Sequence, residues 1–400
     1  MKRISVFFYC ICFSLLFTSG CWDRIELNDR AIWIASGWDD GKKKNITFSG
    51  QIVIPSSISS QSGGGNPGTG NSYFTVTASG RNPEDAIQKL QEKISRQAFM
   101  GQRRIIFLGE KIAERGLKEN IESIVRTPAV SIRTGVFVIK NGTAKDAFSV
   151  AYPLEKIPAM TALKVYEQDV KRGDDVFLKF LYAANSDGIR PTLPAMEIGG
   201  NTEVEHSEQG GAAKSSFELV GTALFDKNLK LSGYINAQES KYFNWLTGIA
   251  KKNVITTSIE EGNASIILFH MSSKIIPEVN KQNQVKVTIE LTGKGELLEN
   301  NTDFNLLKIK NVKLFEKKFE QEVKKEVLAL IHKIQKEQGP DVFGFGEVIH
   351  RKHPYKWKKI KDKWDEKFLD AEVAVKVNIT IKQIGLTGPP VIKIESETKK

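Results

Sequence analysis

Cysteine is almost missing from this sequence. Three cysteines occur among 400 residues, at positions 10, 12 and 21, and none follows Cys21. A chain of this kind has no disulfide framework to stabilise its fold. Cys21 therefore needs a different explanation from disulfide formation.

Hydrophobic runs of transmembrane length are also missing beyond the first 20 residues. The best candidate, residues 264–276, is interrupted by His270, by two serines and by Lys274. A membrane-spanning helix requires about 20 consecutive apolar residues. We therefore expect a water-soluble body after residue 20.

The motifs of common enzymes are missing as well. The sequence has no Gly-x-Ser-x-Gly elbow, and no Gly-Lys-Ser/Thr follows the Ser/Gly-rich segment at 55–72. His350 and His353 could share a helix face, but the Arg-Lys pair between them would repel a metal ion. We expect no enzymatic activity, no cofactor and no metal site.

Two further segments superficially resemble catalytic motifs. Glu260 and Glu261 could serve glycoside hydrolysis only at a suitable carboxyl separation, and adjacent acids in a turn are normally solvated. Asp341 with the Gly344-Phe-Gly346 segment resembles a kinase motif, but the other kinase motifs do not accompany it. We predict a tight turn there, after a long helix.

Positive charge exceeds negative charge in this chain. The formal net charge is +11, and removal of Lys2 and Arg3 would leave +9. Each basic residue near an anionic lipid surface is worth about 1 kcal/mol. The charge therefore favours a weak electrostatic contact with headgroups or cell-wall polymers.

The first 21 residues have the pattern of a lipoprotein signal. Lys2 and Arg3 precede an apolar stretch at 4–17, and small residues lead into Cys21. A cysteine thiolate is the nucleophile that can accept a diacylglyceryl group. We predict a signal peptide at 1–20 and a mature chain whose N-terminal Cys21 carries N-palmitoyl and S-diacylglycerol groups.

The mature chain predicts an α+β protein with two domains. The N-terminal domain, residues 21–199, is a mixed α/β region that forms one unit or two, with a break near 142–150. Its strand, helix and strand at 105–108, 111–125 and 136–139 predict a parallel crossover. Residues 200–216 are polar and Gly-rich, which predicts a linker.

The C-terminal domain is predicted at 217–397. A hairpin and a helix open it, and three long strands with alternating apolar residues follow. Between the second and third of these strands, apolar residues recur every three or four positions across 311–338. This pattern predicts an antiparallel sheet covered on one side by a long helix.

Several separated segments carry a family resemblance. The mature N-terminus begins Cys-Trp-Asp-Arg, and Arg103-Arg104-Ile-Ile-Phe-Leu-Gly lies in the first half. The second half contains the hairpin at 221–234, Trp-Leu-Thr-Gly at 245–248 and a closing segment at 341–364. These segments resemble the two domains of one family, the Ger(x)C spore germination lipoproteins.

This resemblance implies a function. Such proteins are the C subunits of nutrient germinant receptors, which assemble with two integral membrane subunits in the spore inner membrane. It implies a non-catalytic body on the outer face of that membrane, attached through Cys21, with no nucleic-acid partner. The alternatives are an extracytoplasmic solute-binding lipoprotein and a cell-wall hydrolase.

Overall fold

The computed structural model describes most of the chain in five stretches. These are residues 29–54, 72–127, 131–150, 157–199 and 216–385, together with residues 26 and 155. The predicted signal peptide and nearly all of the predicted Ser/Gly-rich segment and linker lie outside the described residues. The described residues form two sheets, each with its own apolar core.

Nine strands of the described residues form the first sheet. They are β1 (Arg30–Asp40), β2 (Ile46–Val53), β3 (Tyr73–Gly80), β4 (Gln97–Phe99), β5 (Ile105–Gly109), β6 (Gly135–Ile139), β7 (Thr192–Gly199), β8 (Ser216–Phe225) and β9 (Leu231–Asn236). Their order is β3-β2-β1-β5-β6-β7-β8-β9, and β4 pairs with the beginning of β1. The central strands β1, β5, β6 and β7 are parallel, whereas the flanking pairs are antiparallel.

The helices of this half connect the strands. They are α1 (Pro83–Gln91), α2 (Glu110–Arg115), α3 (Lys118–Arg126), α4 (Ala144–Ala147), α5 (Pro158–Tyr166) and α6 (Val176–Ala184). The predicted parallel crossover from β5 to β6 is confirmed. Its helix was predicted as continuous, and this was wrong. Gly116 has φ +114°, which ends α2 and separates it from α3.

The hairpin of β8 and β9 extends the first sheet. We predicted it as the opening of the second domain, but β8 pairs with β7 over the whole length of β7. Phe217 and Phe225 of the hairpin are buried in the first core, whereas Leu224 and Ile235 on its other side are buried in the second core. Residues on both sides of 142–150 also belong to the first core. The hairpin therefore completes the N-terminal sheet.

The second half contains the other sheet and its helices. Its elements are α7 (Ala237–Leu246), β10 (Asn253–Ile259), β11 (Gly262–Val279), β12 (Val285–Asn300), α8 (Ile309–Lys333), α9 (Phe345–Lys352), α10 (Pro354–Ile360), α11 (Trp364–Leu369) and β13 (Glu372–Gln383). The sheet order is β10-β11-β12-β13. The pairs β10–β11 and β11–β12 are antiparallel. The pairing of β11 with β12 is as predicted, whereas β10 was not predicted. The predicted antiparallel arrangement is wrong for β13, which pairs with β12 in parallel. The helices α8 to α11 lie between β12 and β13, and they carry the chain back to the end at which β12 began.

The long helix α8 packs on the second core through the predicted apolar stripe. Phe315, Phe319, Val323 and Val327 are all fully buried. The same helix also satisfies backbone donors of β13, which lies at the edge of the sheet. Oε1 of Glu316 accepts a hydrogen bond from Ile381 N at 2.9 Å. An unpaired edge strand would otherwise be open to pairing with another chain.

The predicted α+β class is confirmed. An N-terminal sheet region precedes a C-terminal sheet that a long helix covers. Within the described stretches, none of the helices combines the length and the apolar character that crossing a bilayer requires.

Candidate functional site

Cys21, the predicted lipid-attachment residue, lies outside the described residues, so lipid attachment stays a prediction. The first described strand after it is β1, which begins at Arg30 and lies between β2 and β5. The guanidinium carbon of Arg30 lies 4.5 Å from the ring centroid of Phe99 in β4.

A buried carboxylate, Asp341, organises the turn that follows α8. Its Oδ1 accepts hydrogen bonds from the backbone N–H of Phe343 and Gly344, at 3.1 and 2.9 Å. Its Oδ2 accepts from Gly346 N at 2.8 Å and from Trp364 Nε1 at 3.1 Å. The predicted tight turn is thus confirmed. Burial raises the pKa of Asp341 to about 6, although the hydrogen bonds from Gly344, Gly346 and Trp364 act in the opposite direction.

The same turn joins the two halves of the molecule. Residues 186–190, between α6 and β7, lie against it, and Glu347 N donates to Gly188 O at 3.0 Å. Arg190 N donates to Asp341 O at 2.8 Å, and Arg190 Nη2 contacts both carboxylate oxygens of Asp365 at 2.8 and 3.1 Å. We call this contact, residues 186–190 with 341–347 and Asp365, the first junction.

Glu347 adds side-chain contacts to the first junction. Its carboxylate accepts hydrogen bonds from Tyr182 Oη at 2.5 Å and from Ser186 Oγ at 2.7 Å. Burial alone would raise the pKa of Glu347, but these two donors and nearby positive charge lower it. The carboxylate therefore stays ionised at neutral pH. Its hydrogen bond with Tyr182 connects helix α6 to helix α9.

A second junction lies just after the C-terminal end of α7. Val170 and Ala250 form an antiparallel bridge between the two halves. Lys171 N donates to Ile249 O at 2.9 Å, and Lys251 N donates to Asp169 O at 2.8 Å. Two separate junctions therefore connect the halves, which limits rotation of one half against the other.

A second buried carboxylate, Asp39, lies at the end of β1. It accepts hydrogen bonds from Ala144 N at 2.7 Å and from Lys145 N at 3.0 Å, at the start of α4. Burial raises the pKa of Asp39 to about 6, against the effect of these backbone donors. Sequence reasoning missed this contact. The available signal was an acid at the carboxyl end of an apolar strand.

The two histidines of the closing segment do not form a shared site. His350 stacks on Trp357, with ring centroids 5.8 Å apart. His353 instead lies between α9 and α10, and its backbone O accepts from Trp357 N at 2.9 Å. Across the stretches that the structure describes, no three His, Cys, Asp or Glu side chains are grouped so that they could hold a metal ion.

Two family models match this chain one after the other. The model described as "Spore germination protein N-terminal domain" matches residues 23–198. The model described as "Spore germination B3/ GerAC like, C-terminal" matches residues 220–385. Together they cover both halves, and they leave the predicted linker between them.

Individual relatives match over nearly the whole chain. The sequence is 28% identical to Spore germination protein KC of Bacillus subtilis (strain 168), over 94% of this chain and 95% of that protein. It is 26% identical to Spore germination protein GerQC of Bacillus cereus, over 84% of this chain and 89% of that protein.

The fold also matches a solved structure, the crystal structure of the GerBC protein. The TM-score is 0.56 at 19% identity, with 90% of this chain and 100% of that chain covered. This likeness shows that the two proteins share a fold.

Proposed function

The chain belongs to the GerAC-like family of spore germination proteins, and we propose that it is the lipid-anchored, non-catalytic C subunit of a nutrient germinant receptor. Its partners would be the two integral membrane subunits of that receptor. Its body would lie on the outer face of the spore inner membrane. The observation that carries this proposal is the match of both family models, in order, over most of the chain.

Lipid attachment at Cys21 would confine the body to the surface in which its partners lie. Two acyl signals are enough for stable membrane attachment, whereas one chain gives marginal binding. Confinement to one surface raises the effective concentration of a partner without any new contact. The subunit could then assemble through a docking surface that is weak in solution.

The body between the anchor and the partners would act as a rigid coupling element. Its two junctions are built from buried or half-buried hydrogen bonds, such as Arg190 N to Asp341 O. A contact that a partner makes with one half would therefore also affect the position of the other half. On this view the subunit stabilises the assembled receptor and supports its response to nutrient.

The anchor can be tested with the substitution Cys21→Ala. Spores that carry this variant are fractionated, and the amounts of the protein and of its two membrane partners are measured in the inner membrane. The nutrient response of the same spores is followed in parallel. We expect the variant to leave the membrane fraction and the response to fall with it.

The matched control is Cys12→Ala, which removes a cysteine from the apolar signal segment and keeps that segment apolar. This variant should behave like the parent. If Cys21→Ala left both membrane association and germination unchanged, the tether would have no role in this function. If germination failed while the protein stayed in the membrane, the anchor would lie elsewhere in the chain.

A further inference from the structure

A cavity in the first half has the size of a small-molecule site. Its volume is about 530 Å³, and it lies between α1, α3 and the strands β1, β2 and β4. Sites for small ligands span about 300–1,000 Å³ and are mostly apolar, with a few polar groups. Much of its wall is apolar and comes from Trp38, Phe48, Ile87, Ala98, Met100 and Ile124, together with Pro83.

One cationic side chain contributes to the same wall. Arg103 is only 2% exposed, and its Nε and Nη2 have no hydrogen-bond partner. Its Nη1 has a single long contact, 3.5 Å from Ser36 Oγ. Arg103 has no ion pair with any acid in the described part of the chain.

A second donor without a partner lies in this wall. Trp38 is 2% exposed, and its indole Nε1 has no hydrogen-bond partner. Tryptophan and arginine side chains are donors only and cannot accept a hydrogen bond. The two groups therefore cannot satisfy each other, and both need an acceptor.

Burial makes these unpaired donors costly to the fold. It lowers the pKa of Arg103 to about 10, so the guanidinium is still a cation at neutral pH. A buried charge without a counterion is strongly unfavourable, and such groups are normally paired. The pair that fits a guanidinium best is a carboxylate, which accepts two parallel hydrogen bonds.

We propose that this cavity binds a small organic monocarboxylate with an apolar body. The carboxylate would accept hydrogen bonds from Arg103 and from the indole of Trp38, and the apolar body would lie along the wall. Glu84 also contributes to the wall, and its side chain is exposed. Its negative charge disfavours a ligand with a second carboxylate.

This inference goes beyond the proposed function, because it concerns a ligand of the N-terminal half rather than the membrane partners. It can be tested without spores and without those partners. Its failure would leave the role of Cys21 untouched, and failure of the Cys21 experiment would leave the cavity untouched.

The test uses the full chain in an uncharged detergent, with 3-phenylpropionate as the probe and titration calorimetry as the measurement. We expect 3-phenylpropionate to bind at least about tenfold more tightly than the neutral amide 3-phenylpropanamide, because the amide lacks the charge and one of the two acceptor oxygens. Phenylsuccinate, which has two carboxylates, should bind more weakly than 3-phenylpropionate. Equal affinity for acid and amide, or no binding of either, would overturn the proposal.

Two variants separate the site from a structural role of the arginine. Arg103→Met should abolish the preference for the acid over the amide without lowering the melting temperature, because it removes an unpaired buried charge. Ser123→Trp, at a wall position on α3, should block binding while Arg103 stays in place. Val125→Trp on the exposed side of the same helix is its control and should bind normally.

A fall in melting temperature for Arg103→Met with the acid preference unchanged would show that the arginine serves the fold alone. Normal binding by Ser123→Trp would show that the probe binds outside this cavity.

Discussion

The indole Nε1 of Trp364 donates a hydrogen bond to Oδ2 of Asp341 at 3.1 Å, across 23 residues of sequence. Both side chains are 1% exposed. The contact ties α11 to the turn after α8, and the backbone O of Asp341 accepts from Arg190 N in the other half. One buried residue therefore stabilises both the C-terminal core and the first junction.

Substitution Asp341→Asn should destabilise the protein strongly. An amide has one acceptor oxygen and one donor group, so it cannot accept from all four donors that the carboxylate satisfies. A buried donor left without a partner costs about 1–3 kcal/mol. We expect the free energy of unfolding, measured in urea, to fall by about 2–4 kcal/mol.

The control for this change is Asp362→Asn. Asp362 is exposed, so its substitution should stay within about 0.5 kcal/mol of the parent. Equal effects of the two substitutions would contradict a structural role of the Asp341 carboxylate.

The raised pKa of Asp39 predicts a pH dependence of stability. Its folded-state pKa of about 6 lies above the ordinary value of 3.8, so the folded state holds more protons between these values. The stability contributed by this group is therefore full below pH 3.8 and is lost as the pH rises through 6. Asp39→Asn removes the titration.

We expect the free energy of unfolding of the parent, relative to Asp39→Asn, to rise by about 1 kcal/mol on acidification from about pH 7 to about pH 5. Urea unfolding of both proteins at several pH values measures this difference. A difference that stays constant, or that shrinks on acidification, would show that the carboxyl is not shifted upward.

The first junction should depend on the absence of a side chain at Gly188. A Cβ there would lie 2.5 Å from Glu347 N, which is a backbone atom and cannot rotate away. Gly188→Ala should therefore force the two segments apart and lower the free energy of unfolding by about 1–3 kcal/mol.

Gly199→Ala is the matched control, because among the described residues the nearest atom to its Cβ would be Ser216 Oγ at 3.6 Å. Thermal unfolding of both variants compares the two sites. If the substitutions had the same small effect, the junction would be looser than the contact distances imply.

The carboxylate of Glu316 should protect the edge strand β13. Glu316→Ala removes the acceptor for Ile381 N and leaves this N–H without a partner. We expect a loss of about 1–3 kcal/mol in the free energy of unfolding. Glu322→Ala, on the same helix, removes only a surface ion pair with Lys325 and should cost less than about 1 kcal/mol.

Concentration-dependent light scattering of both variants gives a second measure. The Glu316→Ala protein should aggregate at lower concentration, because its edge strand is open to pairing. Aggregation of the Glu322→Ala protein to the same degree would remove this explanation.

Local signals in the sequence predicted many of the elements. Asn82 is a residue type that favours a helix start, and its Oδ1 accepts from Asp85 N at 2.9 Å. The apolar stripe of α8 was predicted from the spacing of apolar residues across 311–338, and Phe315, Phe319, Val323 and Val327 are buried. A helix was predicted after the hairpin, and Asn236 and Glu239 form a capping box at its start. Each of these contacts joins residues a few positions apart, where the sequence pattern is direct.

Contacts between distant residues were beyond the sequence pattern. Asp39 accepts from a backbone N–H that lies 105 positions later, and no local period indicates that pairing. The hairpin β8–β9 was predicted correctly as a hairpin, but only pairing with β7 decides which sheet it extends. The unpaired state of Arg103 likewise depends on which side chains surround it, and those come from several separate elements.

The sequence by itself predicts the lipoprotein signal at Cys21. It also determined the order of most strands and helices and the membership of a germination family. All of these depend on residue type and short spacing. Only the tertiary structure decided that β12 and β13 are parallel, that Asp341 and Arg190 join the halves, and that Arg103 lies unpaired in a cavity wall. These features depend on how the chain returns to itself over many residues, because a hydrogen bond or an ion pair forms only where the fold places its two partners within about 3 Å of each other.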